Sequence, residues 1–169
     1  MSDQFRTSAA HVEDVRTLIG FLRGISPALV YLVGTSRGTI SVAHLGVDLQ
    51  DPNVRGIVLT ASLGQRLGPR ATGIRLTNQP LERIALPTLF VHHRDDGCAA
   101  SQYADAQALP PRMTSSPRTD FITVIGGDPP RSDPCEALSQ HGFLGKEPNV
   151  VSAIAGWVLG RPVQSQIGP

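Results

Sequence analysis

The sequence predicts an α/β fold, a predominantly parallel sheet flanked by helices, in a single domain over residues 1–169. Three observations carry that expectation. Short, wholly apolar runs alternate with stretches of helical apolar spacing, the pattern of a sheet whose strands are covered on both faces. The 17 glycines and 14 prolines punctuate the chain too often for a helical bundle and too irregularly for collagen or a repeat array. A hydrophobic fraction of 40% over 169 residues is enough to build one core.

Taken in order, Val12, Val15, Leu18, Ile19 and Leu22 recur at helical spacing and predict an amphipathic helix over 10–23, with Ser8 as a cap and Gly24 as a stop. Residues 28–33, apolar at every position, predict a first strand, which ends at Gly34-Thr-Ser-Arg-Gly38. A helix over 37–49 and a β-rich run over 56–61 complete a strand–helix–strand unit. Residues 63–86, rich in Gly, Arg and Pro, read as a loop with a helical turn near 81–84 and lead into a third buried strand over 87–91. A helix over 103–109, a loop over 110–118 and a fourth strand over 121–125 follow. Beyond a long polar loop, Val150, Ile154, Trp157 and Val158 share one face of a last helix over 149–159, and residues 160–169 are expected to fray.

Charge excludes some partners. Fifteen basic and fourteen acidic side chains leave a net charge of +1, which suits neither a polyanion nor an anionic membrane surface. The longest apolar run is far short of a bilayer span, and residues 1–7 are polar, so no export signal is read in this chain. Neither G-x-G-x-x-G nor G-x-x-x-x-G-K-[ST] occurs, which leaves a dinucleotide-type anion site weakly supported.

Gly34-x-Ser36-x-Gly38 has the form of a nucleophile elbow, in which a sharp strand-to-helix turn exposes a serine between small residues. The competing reading is an ordinary βα turn with Ser36 as a helix cap. A serine hydroxyl needs an imidazole to take its proton and a carboxylate to orient that imidazole. Asp95 and Asp96 follow the third strand directly, in Val91-His-His-Arg-Asp-Asp-Gly-Cys98, and His141 precedes the last helix in Ser139-Gln-His-Gly-Phe143. The chain order is serine, aspartate, histidine. His11 and His44 fall on helices and read as structural. His92 and His93 with Asp95, Asp96 and Cys98 carry metal-ligating atoms, but a strand end points successive side chains to opposite faces. Arg37 reads either as a solvated helix residue or as a contact for an anionic substrate group.

These three segments together resemble the carboxyl-terminal part of an α/β-hydrolase over essentially the whole chain: Val33-Gly-Thr-Ser-Arg-Gly-Thr39 the elbow, His92-His-Arg-Asp-Asp96 the acid turn, and His141-Gly-Phe143 the histidine loop. The resemblance implies Ser36 as nucleophile, His141 as general base and Asp96 as acid. Asp95 is the alternative acid, because His93 stands where the family's acid turn has a glycine. It implies an esterase-like hydrolysis of a small acyl substrate through an acyl-serine intermediate, with no metal and no cofactor, and the backbone amide of Arg37 as an oxyanion donor. The other class of protein these residues allow is a non-catalytic binding or interaction module of the same fold. By the same resemblance the acid and histidine loops lie together, which would bring Cys98 and Cys135 within reach of a disulfide and point to an exported parent protein. It also implies that the first four strands of the family's sheet, and the second oxyanion donor, lie outside this chain. The strand before Ser36 would then be an exposed edge, open to self-association.

Overall fold

The computed structural model describes residues 1–64 and 73–169; of the loop expected over 63–86, residues 65–72 lie outside the described residues. Five strands, β1 (Val30–Thr35), β2 (Val54–Thr60), β3 (Thr88–His93), β4 (Thr119–Val124) and β5 (Gln166–Ile167), form one sheet in the order β1-β2-β3-β4-β5. Every neighbouring pair is parallel. Helices α1 (Asp3–Arg6), α2 (Ala9–Ile25), α3 (Gly38–Asp48), α4 (Tyr103–Gln107) and α5 (Glu147–Val158) flank it. The chain therefore has an α/β-type fold, as its alternating pattern requires.

Strand alternation sorts the core into two layers. Ile57, Leu59 and Phe90 point to one face, where Ile40, Ala43 and Val47 of α3 cover them. Val58, Leu89, Val91, Ile122 and Val124 point to the other, under Val150 and Trp157 of α5. Helix α2 packs Val12 and Ile19 against Leu45 of α3 and Leu49, the residue that caps its end. Ser8 caps α2 as expected, its Oγ accepting from the His11 N–H. The strand β1 runs two residues further than the apolar run, because Gly34 and Thr35 still pair with Leu59 and Thr60.

Two segments depart from the sequence reading. The expected fraying of 160–169 is corrected by β5, whose Thr123↔Gln166 and Val124↔Ile167 register adds a strand beside β4. Its backbone bonds, Thr123 N–H to Ser165 and Ile125 N–H to Ile167, hold a segment too short to show a β pattern. At the other end, α1 is a four-residue turn of helix capped by Ser2, with no buried residue and so no apolar stripe to betray it. Among the described residues no helix is long and apolar enough to cross a membrane.

Candidate functional site

Parallel strands deliver their carboxyl ends to one rim of the sheet, where loops can gather side chains from distant parts of the chain. At the end of β1, Ser36 adopts φ +53°, a left-handed conformation uncommon for a residue with a side chain. Three contacts hold it there. The Ser36 N–H donates to the Thr60 carbonyl at 3.0 Å, while the Ser36 carbonyl accepts from Thr39 N–H at 3.0 Å and Thr39 Oγ1 at 2.6 Å. The turn is tight enough that a Cβ on Gly34 would sit 2.5 Å from the Gly38 carbonyl oxygen and 2.8 Å from Val42 Cγ2. Gly34 is thus required by close approach. A Cβ on Gly38 would meet nothing within 4 Å. Ser36 precedes α3 without capping it: the N-cap position is Arg37, with no side-chain cap bond.

Arg37 itself is engaged. Its Nη1 donates to both carboxylate oxygens of Asp3 at 2.9 Å, so the guanidinium pins α1 against the strand-to-helix turn. The side chain is still 55% exposed, as the solvated reading expects, but it is tied to Asp3.

At the end of β3 the two carboxylates separate. Asp96 is wholly buried at its side chain; its Oδ2 accepts from His141 Nδ1 at 2.9 Å and its Oδ1 accepts from the Cys98 N–H at 2.9 Å. Asp95 turns to solvent and pairs with Arg94, Nε to Oδ1 at 3.1 Å, and that hydrogen bond holds its carboxyl below the usual carboxylate range. The alternative acid is therefore corrected: of the adjacent pair, only Asp96 reaches the histidine.

His141 sits in a 3-10 turn, Gln140–Gly142, capped by Ser139, whose Oγ accepts from the His141 N–H and donates to the Glu136 carbonyl at 2.7 Å. Gly142 follows because any Cβ there would run into the Ala137 carbonyl oxygen. The imidazole is 4% exposed, and its Nε2 is buried without a hydrogen-bond partner among the described residues. One ring nitrogen is thus fixed by a carboxylate while the other is left available.

The Cys98–Cys135 disulfide spans 37 residues with its Cα atoms 4.5 Å apart, and ties the acid turn to the segment that leads into the histidine turn. His92 and His93 face opposite layers of the core. The first bonds to Ser62 and Ser101; the second accepts from the Asp95 N–H at 3.0 Å and donates Nε2–H to the Gly126 carbonyl at 2.7 Å. His93, which stands where the resembled family has glycine, thereby braces the acid turn against the end of β4. Among the described residues no group of three or more His, Cys, Asp or Glu side chains is arranged to hold a metal ion. His11 is buried beside Phe5, and His44 meets Asp48 at 3.1 Å, both within the helical layer.

Reasoning from sequence missed the Asp3–Arg37 tie, the Ser139 cap and the contacts of His92. Only Ser139 left a readable signal, as a serine two residues before the histidine. Compared with known proteins, the chain matches no family model and no curated sequence.

Proposed function

We propose that this chain is the catalytic region of an α/β-hydrolase, a serine hydrolase that cleaves a carboxylic ester or related acyl substrate through an acyl-Ser36 intermediate. The observation that carries the reading is the Asp96–His141 pair: a buried imidazole with Nδ1 bound to a carboxylate at 2.9 Å and Nε2 unpartnered. That arrangement fixes the tautomer a general base needs. The left-handed Ser36, at the end of β1 on the same rim of the sheet, supports it.

In this mechanism Ser36 Oγ attacks the acyl carbonyl carbon as His141 Nε2 takes its proton. The oxyanion that forms is stabilised by the backbone N–H of Arg37. Imidazolium Nε2–H then protonates the departing alcohol as the ester C–O bond breaks, leaving acyl-Ser36. Water, deprotonated by the same nitrogen, attacks the acyl carbon, and the proton returns to Ser36 as the acid leaves. Asp96 holds the ring and stabilises its charged form throughout. The disulfide beside Asp96 accords with work in an oxidising compartment.

One observation favours a second reading, a non-catalytic module: β1 is the outer strand of the sheet, and of its six residues only Gly34 is buried. A fluorophosphonate probe separates the two. The enzyme is labelled at Ser36 and Ser36→Ala is not; a folded wild-type chain that resists the probe is the binding module.

A further inference from the structure

The carboxylate that orients His141 is touched by a second imidazole. His92, 1% exposed at the end of β3, places Nε2 3.5 Å from Asp96 Oδ2, the same oxygen that His141 Nδ1 meets at 2.9 Å. The other contacts of His92 decide its protonation. Its Nδ1 lies 3.3 Å from the Ser62 backbone nitrogen, and an N–H there can only be a donor, so Nδ1 is an unprotonated acceptor. The ring hydrogen is therefore on Nε2 and bonds to the Ser101 carbonyl at 2.9 Å, with Asp96 Oδ2 3.5 Å from the same nitrogen. A doubly protonated ring would set Nδ1–H against the Ser62 N–H. Burial favours the neutral form as well, pushing the His92 imidazole below its ordinary value of 6.5. The titratable groups facing this ring are Asp96 and His141, its strand neighbour His93, and Tyr103, whose ring centroid lies 6.1 Å away.

We propose that His92 is a positioning residue for the reaction, an imidazole whose Nε2–H dipole lies beside Asp96 Oδ2, opposite His141, and so sets how strongly the carboxylate draws on the general base. The inference rests on the reading of His141 as that base. Oδ1 accepts from the Cys98 N–H while Oδ2 faces His141, and the positive end of the His92 N–H dipole, 3.5 Å from Oδ2, lowers that oxygen's pull on the ring. Loss of that dipole leaves a more basic carboxylate, which stabilises imidazolium over imidazole. The ring then keeps its proton to higher pH, and the free base is scarcer.

His92→Asn tests this, because its Oδ1 can still accept from the Ser62 N–H while nothing reaches Asp96; His92→Gln restores a donor near the Nε2 position. With p-nitrophenyl acetate as probe, the acid limb of kcat/KM in His92→Asn is expected to move up by about half a pH unit and to return towards wild type in His92→Gln. A role in packing alone would lower the rate and leave the limb in place. Two NMR readouts do not need turnover. In the wild type, 15N spectra at pH 7 should show His92 protonated at Nε2 and bare at Nδ1. In His92→Asn the His141 Nδ1 proton should move downfield as its bond to Asp96 strengthens. A proton on His92 Nδ1, or an unmoved His141 proton and acid limb, overturns the proposal. If His92→Asn does not fold, the wild-type tautomer decides. Expected NMR behaviour with no hydrolysis and no probe labelling would sink the hydrolase reading and leave the His92–Asp96–His141 linkage standing.

Discussion

The strands β3 and β1 lie in the same parallel sheet, separated only by β2, yet they present their candidate site residues in opposite ways. All six residues of β3 are buried, and the turn that follows it is fixed by a disulfide, by the His93 brace and by hydrogen bonds to both oxygens of Asp96. In β1 five of six residues keep contact with solvent, and Val33, three residues before Ser36, is 54% exposed. The difference is one of neighbours: among the described residues β3 has a strand on each side, β1 on one side only. The acid–histidine half of the site is over-determined. The serine half relies on the local turn, on the Thr60 carbonyl and on the Arg37–Asp3 tie.

The sharpest way to break the braced half is at its carboxylate. In the proposed mechanism Asp96→Asn keeps the shape but loses the charge that orients His141 and stabilises its protonated form, and a loss in kcat of about four orders of magnitude is expected. Asp95→Asn removes only a solvent-facing pair with Arg94 and should leave hydrolysis within a factor of about two. Equal losses in the two variants, read as kcat on one ester, would mean that the buried pair is not the orienting one.

That distinction between neighbours shows where a sequence stops being informative. Strands β2 and β3 were legible because a strand covered on both faces must be apolar throughout, whereas residues 28–33 are as apolar although β1 is largely open to solvent; these runs and 121–125 all fall on or beside observed strands. Ser36 was legible because a strand-to-helix turn of this radius excludes a Cβ at Gly34. Adjacent aspartates carry no such mark, since one residue of difference sends a side chain to the core or to water. The partners of His92 stayed hidden for another reason: Ser62, Asp96 and Ser101 converge on it only once β2 and β3 have paired. Likewise β5 is two residues long and exists only against β4.

Removing the disulfide is the next largest step. On the loop-entropy relation, releasing a 37-residue loop costs roughly 4 kcal/mol of stability. Cys98→Ser with Cys135→Ser should therefore lower the urea midpoint with an unchanged slope, and should loosen the Asp96 contact with the Cys98 N–H. An unchanged midpoint would show that noncovalent contacts alone brace this half.

Acidification acts on the same half more gently. Because burial lowers the His92 pKa from 6.5, the unfolded chain binds a proton that the folded chain refuses as pH falls below that value. Stability linked to His92 is thus fully present above pH 6.5 and declines as pH drops towards the lowered folded value. Thermal melts from pH 8 to 5 should show this slope, and His92→Gln should flatten it; an equal slope in the variant would place the titrating group elsewhere.

The smallest stability effect is expected on the open half, where a substitution should change association instead. The exposed Val33 of β1 lines one surface groove with Leu18 and Leu22 of α2, which are 54% and 43% exposed. The outward N–H and C=O groups of an edge strand can pair with a second edge, and apolar side chains beside them favour it. A charge on that edge opposes pairing at little cost to the fold, since Val33 is already more than half in water. Val33→Lys should therefore leave the melting transition within about 0.5 kcal/mol of wild type. Light scattering should give a wild-type mass that rises above 18.0 kDa with concentration, and a Val33→Lys mass that stays near it. A wild-type chain that remains at the monomer mass throughout would mean that the bare edge of β1 is tolerated without a partner, and the contrast between the two halves would then be one of burial alone.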